Sequence, residues 1–210
     1  LDYIRQDNRI TDVLISSRQD AIERLYHIGK LINHLRAIPH VNAVRLRSLK
    51  FNYEPAIYTR GVIDRLAELN RLAVANPLRL EIETQFLHSS EIKQIHDDLI
   101  KALHNKGITV YTNTPLLASI NDNAAEIHRL AYNCRRIGLE FHHLYVAGLP
   151  LQKDWSQKHP IDIATVIDIA TRVRKDGSGR EIPRYIILTE LGEVDFGLTS
   201  KLSEENGEMS

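Results

Sequence analysis

The chain has 210 residues, with 27 basic and 27 acidic side chains and 43% apolar content. Because the charges balance, no net field favours nucleic acid or an anionic membrane surface as a partner. The length allows one sizeable core or part of a larger barrel. No apolar run approaches the roughly 20 residues of a membrane helix, and the opening residues 1–5 lack the apolar segment of a signal peptide.

Short strand patterns alternate with amphipathic helical patterns along the chain. Strands are predicted at 12–16, 44–48, 78–84, 108–113, 139–145 and 184–189, and helices at 20–35, 59–75, 90–105, 123–137 and 160–173. This order predicts parallel strands joined by right-handed crossovers. Glycines 107 and 138 are expected to end two helices. Ser90, Asn123 and Pro160 are expected at helix starts.

The strand at 78–84 has one apolar and one charged face. Leu78, Leu80 and Ile82 alternate with Arg79, Glu81, Glu83 and Gln85. Fully buried parallel strands read as continuous apolar runs, so one face here is expected to line a wet space. The predicted fold is α/β, a partial TIM-type (β/α) barrel of parallel strands with outer helices and a polar lumen. A sheet with one solvated side is the alternative.

The ends of the chain carry their own expectations. The first residues look like the end of a helix, which predicts that the chain is a fragment of a longer protein. Residues 1–200 are expected to form the partial barrel, and residues 201–210 a disordered polar tail. The lone Cys134 cannot form an internal disulfide or hold a metal cluster by itself, and it lies in a helical pattern. It is expected to be a buried small side chain in a reducing, cytoplasmic protein.

Several strand-end segments, taken in order, resemble the lysine 2,3-aminomutase family. The segment from Thr84 to Glu91 fits T-x-F-x-H-x-x-E, and Leu116-Leu117 with Asn121-Asp122 fits N-Q-x-V-L-L-x-G-V-N-D. The run from Ile38 fits I-P-H-V…R-x-x-S…P…T, and the stretch from Ser178 to Pro183 fits S-G-x-x-x-P. Together these segments cover residues 2–192.

The resemblance implies a radical S-adenosylmethionine (SAM) protein. In that family a [4Fe-4S] cluster on a C-x-x-x-C-x-x-C loop reduces SAM, and the resulting 5′-deoxyadenosyl radical abstracts a substrate hydrogen. The cluster loop is expected upstream of residue 1, and no catalytic residue can be assigned. Cofactor-binding residues are expected at the following positions: Ser17, Asp20, Ser48, Thr84, His88 and Asn113. Substrate-binding residues are expected to be Arg45, Arg47, Glu83 and His143.

Departures from the family pattern argue against a lysine substrate. Arg18 and Gln19 stand where glycines let the backbone approach the cofactor, and Asp20 is expected to supply the carboxylate. Asp195 falls near the expected pyridoxal lysine, and a carboxylate cannot form a Schiff base. Pyridoxal phosphate is therefore not expected. The two carboxylates that bind lysine in the family fall near Gly148 and Leu188 of this chain. Neither residue can pair with the ammonium group of lysine.

Three functional hypotheses follow. The first is a radical SAM enzyme of isomerase type acting on another small molecule; the second is an inactive relative that serves as a binding or scaffold domain. The third is a hydrolase-like barrel with a divalent metal on Glu83, His88, His142 and His143, of which adjacent His142 and His143 should point to opposite faces. For Arg45 and Arg47, ion pairs with Glu81 or Glu83 are an equal alternative to substrate binding. Homo-oligomerisation is left open.

Overall fold

A computed structural model describes residues 1–71, 78–195, 204–205 and 208–209. The chain divides into two compact units. The first comprises Leu1–Phe86, Ser90–Asn113 and Asn133–Glu140, and the second Leu87–Ser89, Thr114–Tyr132 and Phe141–Ser210. Both contain parallel strands that alternate with helices along the chain, so the predicted α/β class with the (β/α) order of a partial barrel is confirmed. Within the described ranges, no helix has the length and hydropathy needed to cross a bilayer.

The first unit contains four parallel strands in chain order. They are β1 (Asp12–Ile15), β2 (Ala43–Arg47), β3 (Arg79–Thr84) and β4 (Thr109–Pro115), the last two residues of β4 belonging to the second unit. The helices of this unit are α1 (Asp2–Gln6), α2 (Leu25–Arg36), α3 (Lys50–Tyr53), α4 (Arg60–Leu69) and α5 (Gln94–His104). Short 3₁₀ helices span Pro55–Ile57 and, across the unit boundary, Ser89–Glu91.

The second unit contains a parallel pair that ends in a hairpin. The elements from β4 onward are α6 (Ala124–Ile137, shared between the units), β5 (Glu140–Ala147), α7 (Pro150–Ser156), α8 (Ile163–Asp176), β6 (Arg184–Thr189) and β7 (Gly192–Asp195). β5 pairs with β6 in parallel, and β6 pairs with β7 in antiparallel orientation. Two further short strands, β8 (Glu204–Glu205) and β9 (Glu208–Met209), pair with each other inside the predicted tail, whose other residues lie outside the described ranges.

Local signals account for most helix boundaries. The Thr59 hydroxyl accepts from the Val62 N–H at the start of α4, and the Asn123 side chain accepts from the Glu126 N–H at the start of α6. Both are N-caps that satisfy orphan backbone donors. Gly107 and Gly138 have φ of 69° and 82°, as the predicted left-handed helix ends require.

Some predicted boundaries were wrong. Pro160 does not start α8; Asp162 does, because its carboxylate accepts from the Thr165 N–H at 2.6 Å. Ser90 lies in a 3₁₀ turn, and α5 starts only at Gln94. The helix expected from residue 20 starts at Leu25 after a turn, and residues 72–75 of the helix expected at 59–75 lie outside the described ranges.

Each unit has its own apolar core. In the first, strand residues such as Leu46, Ile82 and Val110 are fully buried together with helix residues such as Ile32 and Ile100. In the second, the buried set is Leu130, Leu144, Ile169, Val173, Tyr185 and Ile186. The apolar face predicted for the third strand is therefore confirmed, and packing of helices on that face leaves the opposite face for polar side chains.

Candidate small-molecule site at the strand ends

Charged side chains on β2 and β3 form a ladder across the polar face of the first unit. The parallel register places Arg45 beside Glu81 and Arg47 beside Glu83. Arg45 Nη2 lies 2.9 Å from Glu81 Oε2, and Arg47 Nη2 lies 2.6 Å from Glu83 Oε1. A longer contact of 3.8 Å joins Arg45 to Glu83. The face that was expected to be wet therefore holds two buried carboxylates, each satisfied by an arginine.

The ion-pair alternative for these arginines is thus present in the structure. Glu81 and Glu83 are only 6% and 4% exposed, so each would be costly to bury without a cation. The Arg47 side chain remains 42% exposed and can contact a ligand with its outer edge. Substrate binding by Arg45, Arg47 and Glu83 stays a prediction.

Tyr111 extends the ladder onto β4. The Arg45 guanidinium lies 4.6 Å from the centre of the Tyr111 ring, a cation–π contact. The Tyr111 hydroxyl points to Glu81 Oε1 at 3.5 Å. Burial, with the Glu81 carboxylate, raises the pKa of Tyr111 above its usual value, so the phenol stays protonated and can donate to Glu81.

Buried polar side chains cluster where β2, β3 and β4 end. Ser48, Thr84 and Asn113, three of the predicted cofactor-binding residues, are 0%, 0% and 4% exposed. Thr84 Oγ1 and Asn113 Oδ1 have no hydrogen-bond partner among the described residues. Buried polar atoms are almost always satisfied, so an orphan at a strand end is a candidate position for a ligand group.

The register places these residues on two faces. Arg47, Glu83 and Tyr111 pair across the sheet, and side chains alternate along each strand. Asn113, two residues beyond Tyr111, therefore lies on the charged face, whereas Thr84 lies on the opposite one. Ser48 precedes α3, and its hydroxyl, like that of the buried Tyr58, has no hydrogen-bond partner among the described residues. Burial raises the pKa of Tyr58 well above its usual value.

Asp20 and Ser17 have different surroundings. The two Asp20 oxygens accept from the Ile22 and Lys50 backbone N–H groups at 3.0 and 2.9 Å. The carboxylate therefore fixes the loop after β1, although each oxygen keeps a lone pair for a further donor. Ser17 is exposed, as are Arg18 and Gln19 that follow it.

Lys50, the first residue of α3, is also held by ion pairs. Its ammonium lies 2.6 Å from Glu23 and 2.8 Å from Glu54. Hydrogen bonds to Glu23 and Glu54 raise the pKa of Lys50. Two carboxylates already neutralise this cation, so it does not serve as a ready anion site.

In the second unit, His88 joins a cluster around Glu126. Its Nε2 lies 3.3 Å from Glu126 Oε2, and the same carboxylate contacts Arg129 at 3.2 Å and accepts from the Ser89 N–H at 2.6 Å. Glu126 is buried and fixes the turn that carries His88. The sequence pattern did not single out Glu126, because a glutamate early in a helix is ordinary helix composition.

Asn121 explains part of the motif resemblance structurally. Its side-chain oxygen accepts from the Leu117 N–H at 2.7 Å. Its side-chain nitrogen donates to the Leu87 and Pro115 carbonyls at 2.9 and 3.0 Å. One buried amide thus fixes the loop after β4, and the residue builds the site without having to touch a ligand.

The two adjacent histidines on β5 differ from the expectation. The rings of His142 and His143 are stacked, with their centres 3.8 Å apart, so the prediction of opposite faces was wrong for the rings. Alternation fixes the direction of each Cβ, but rotation about χ1 and χ2 still moves the ring. Among the described residues no group of three or more His, Cys, Asp or Glu side chains is placed to hold a metal ion, so the metal-hydrolase hypothesis gains no support.

The structure leaves no room for a carboxylate side chain at Gly148, one of the two positions near which the family's lysine-binding carboxylates fall. Gly148 has φ of 103°, and a Cβ on it would lie 2.0 Å from the Leu188 carbonyl oxygen. No side chain fits between β5 and β6 there. Asp195, at the position of the expected lysine, accepts from Arg184 at 3.1 Å within the β6–β7 hairpin. These residues do not fit pyridoxal phosphate.

Sequence reasoning missed the short helix α7 and its two anchoring side chains. Gln152 is buried and donates to the Leu116 and Tyr145 carbonyls at 3.1 and 2.7 Å. The Trp155 indole donates to the Ala118 carbonyl at 3.1 Å. The signal that could have found α7 is Pro150, because proline is favoured in a first helical turn.

These features define a β/α protein with buried polar side chains at its strand ends. No family model matches the chain. Curated proteins do: it is 26% identical over 200 residues to a putative L-lysine 2,3-aminomutase of Aquifex aeolicus, covering 93% of this chain and 52% of that protein. It is 24% identical over 187 residues to the L-lysine 2,3-aminomutase of Fusobacterium nucleatum, covering 89% of this chain and 41% of that protein.

The chain is thus similar in sequence to the lysine 2,3-aminomutases, and the resemblance predicted from its motifs is confirmed. It spans about half or less of the length of the curated relatives it matches. Among solved structures, it is similar to a domain of pyruvate-formate lyase-activating enzyme from Bacteroides vulgatus. That similarity has a TM-score of 0.46 and 9% identity and covers 83% of this chain and 96% of that one.

Proposed function

We propose that this chain is the ligand-binding part of a radical SAM protein that acts on a small molecule other than lysine. The observation that carries the proposal is the buried, unpartnered Asn113 Oδ1 on the charged face at the end of β4. SAM offers hydroxyl and amino groups that can donate to this acceptor, and the relationship to the aminomutases favours this ligand.

The polar groups of the described residues fit SAM better than they fit a [4Fe-4S] cluster. Asn113 lies on the charged face and Thr84 on the other, and the Asp20 carboxylate can accept a further hydrogen bond. A [4Fe-4S] cluster needs three cysteine thiolates in this family, whereas this chain has one cysteine. Cys134 is fully buried, and burial raises the pKa of its thiol. The proposal therefore requires cluster ligands from residues outside this chain.

A binding measurement on the chain itself tests the cofactor. We expect SAM to bind in isothermal titration calorimetry, and Asn113→Leu to weaken binding about tenfold, because it removes one buried hydrogen bond of about 1–1.5 kcal/mol. Thr84→Val changes the opposite face and should weaken binding much less. Thr171→Val, an exposed change on α8, is the matched control and should leave the affinity unaltered. Equal affinities for all four proteins would contradict the assignment of Asn113.

A product assay tests the substrate. The full-length protein, reconstituted with iron and sulfide and given SAM, lysine and a reductant, should form no β-lysine. The reasons are that Gly148 and Leu188 cannot pair with an ammonium and that Asp195 cannot hold pyridoxal phosphate. Detection of β-lysine by mass spectrometry would overturn this part of the proposal.

A scaffold protein without radical chemistry is the second candidate. The exposed Arg18 and Gln19, in place of two glycines, favour it because they obstruct backbone approach to the cofactor. The two candidates are separated by SAM cleavage in the reconstituted full-length protein: release of 5′-deoxyadenosine supports the enzyme, and its absence in a protein that carries the three-cysteine motif supports the scaffold.

A further inference from the structure

The second unit contains a small preformed cavity that the proposed cofactor site does not use. Its volume is about 160 Å³. Pockets for drug-sized ligands have about 300–1,000 Å³, so this one takes a ligand of fragment size. Most of its wall is apolar, supplied by the segment after β4, the end of β5 and helix α7. The main apolar lining residues are Leu116, Leu117, Ala118, Val146, Trp155 and Ile161.

Hydrogen bonds hold this wall in place. Gln152 joins α7 to the segment after β4 and to β5 through two donated bonds, and its oxygen accepts from the Leu149 N–H at 3.1 Å. The Trp155 indole is fixed by the Ala118 carbonyl, and the His159 ring lies 4.8 Å from the Trp155 ring. The polar atoms of Gln152 and Trp155 are thus occupied by the backbone. The cavity needs little reorganisation to accept a ligand.

The charge at the cavity selects the ligand. Lys153 lines it, and no carboxylate does. The Lys153 ammonium makes no ion pair with any described residue, in contrast to the doubly paired Lys50. Gly148, which also lines the cavity, cannot be exchanged for a residue with a carboxylate because of the Leu188 carbonyl. An ammonium-bearing ligand would find no counter-ion, whereas a carboxylate would find one.

We propose that this cavity binds a small apolar carboxylate, with its hydrocarbon body against Trp155 and its charge at Lys153. The inference does not depend on SAM binding, because it rests on different residues.

Trp155 makes the test direct, since it is the only tryptophan of the chain. Excitation at the red edge of the indole band reports on this cavity alone. Hexanoate should change the emission saturably, and hexylamine, with an equally long apolar chain and the opposite charge, should not. Lys153→Met should weaken hexanoate binding about three- to fivefold, the size expected of one exposed ion pair.

A second variant separates binding from folding. Ala147 lines the cavity and is exposed, so Ala147→Phe should fill the space without disturbing the core and should abolish the hexanoate response. Its circular dichroism and SAM affinity should match those of the parent chain. Equal responses to hexanoate and hexylamine, an undiminished response in Ala147→Phe, or displacement of hexanoate by SAM would each overturn the proposal. None of these outcomes alters the Thr84 and Asn113 test.

Discussion

In the first unit β3 carries two buried carboxylates and β2 supplies an arginine to each, whereas the strand ends of the second unit carry Gly148, Leu188 and a cavity with apolar walls. In the first unit, the arginines neutralise the buried carboxylates within the protein. In the second unit, buried side-chain amides fix the backbone around the cavity. The contrast teaches that a polar strand face is no direct measure of a binding site. Both ligand sites that we propose use polar atoms left without a partner, Asn113 Oδ1 and the Lys153 ammonium.

The largest expected effect comes from a substitution at the contact between β5 and β6 in the second unit. Gly148→Ala should lower the free energy of unfolding by about 3 kcal/mol or more, because the added Cβ meets the Leu188 carbonyl and the backbone stays in the left-handed region. Gly179→Ala is the control: a Cβ there meets no atom within 4 Å, and its effect should stay below about 1 kcal/mol. Urea unfolding followed by circular dichroism measures both. Similar stabilities of the two variants would show that β5 and β6 can separate freely.

The second-largest effect tests the ladder of arginine–glutamate pairs on β2 and β3 in the first unit. Glu83→Gln should cost about 2 kcal/mol, since it removes the charge that neutralises Arg47 and contacts Arg45 in a buried position. The exposed pair of Arg65 and Glu68 provides the control, and Glu68→Gln should cost less than about 0.5 kcal/mol. Urea unfolding of both variants at low and high salt makes the comparison. A cost for Glu83→Gln no larger than for Glu68→Gln would mean that the ladder is effectively solvated.

The smallest effect concerns His96, a buried titratable group of the first unit. Burial lowers its pKa below the usual value, and its Nδ1 accepts from the Lys93 N–H while Nε2 lies 2.9 Å from the Asn52 carbonyl. Protonation would break the first bond, so the unfolded chain binds the proton more readily. Stability should be complete above about pH 6.5 and fall as the pH drops below it.

The control for His96 removes the titrating ring. His96→Gln should be less stable than the parent chain at pH 8 but should lose less stability between pH 7 and pH 5. His104→Gln, a change on the exposed face of the same helix, should keep the parent pH dependence. An unchanged slope in His96→Gln would assign the acid sensitivity to other groups.

Periodicity and turn residues predicted β1 to β6 closely, because each of these strands is short, apolar on one face and bounded by turn residues, but the sequence analysis missed β7. β6 was predicted with its observed bounds. The helices were less well predicted. α7 and α3 are too short to show a periodic pattern, and Asp162 was overlooked beside Pro160, although aspartate is the stronger N-cap.

The candidate site was predictable only in part, for physical reasons. The sequence shows that Arg45 and Glu81 lie on polar faces, but their pairing depends on the register between strands. Asn113 Oδ1 lacks a hydrogen-bond partner because its neighbours in the fold place no donor within reach. The cavity beside Trp155 depends on how Gln152 ties three segments together. Such tertiary arrangements leave no local pattern in a single sequence.

The β6–β7 hairpin has a consequence for the behaviour of the protein in concentrated solution. A parallel strand at the edge of a sheet offers unpaired backbone groups to any other extended chain. Here β7 occupies that edge of β6, is only four residues long, and carries Glu193 and Asp195. A short edge with two acidic residues is a poor template for a further strand. The turn at Gly192 therefore also protects the second unit against edge-to-edge aggregation.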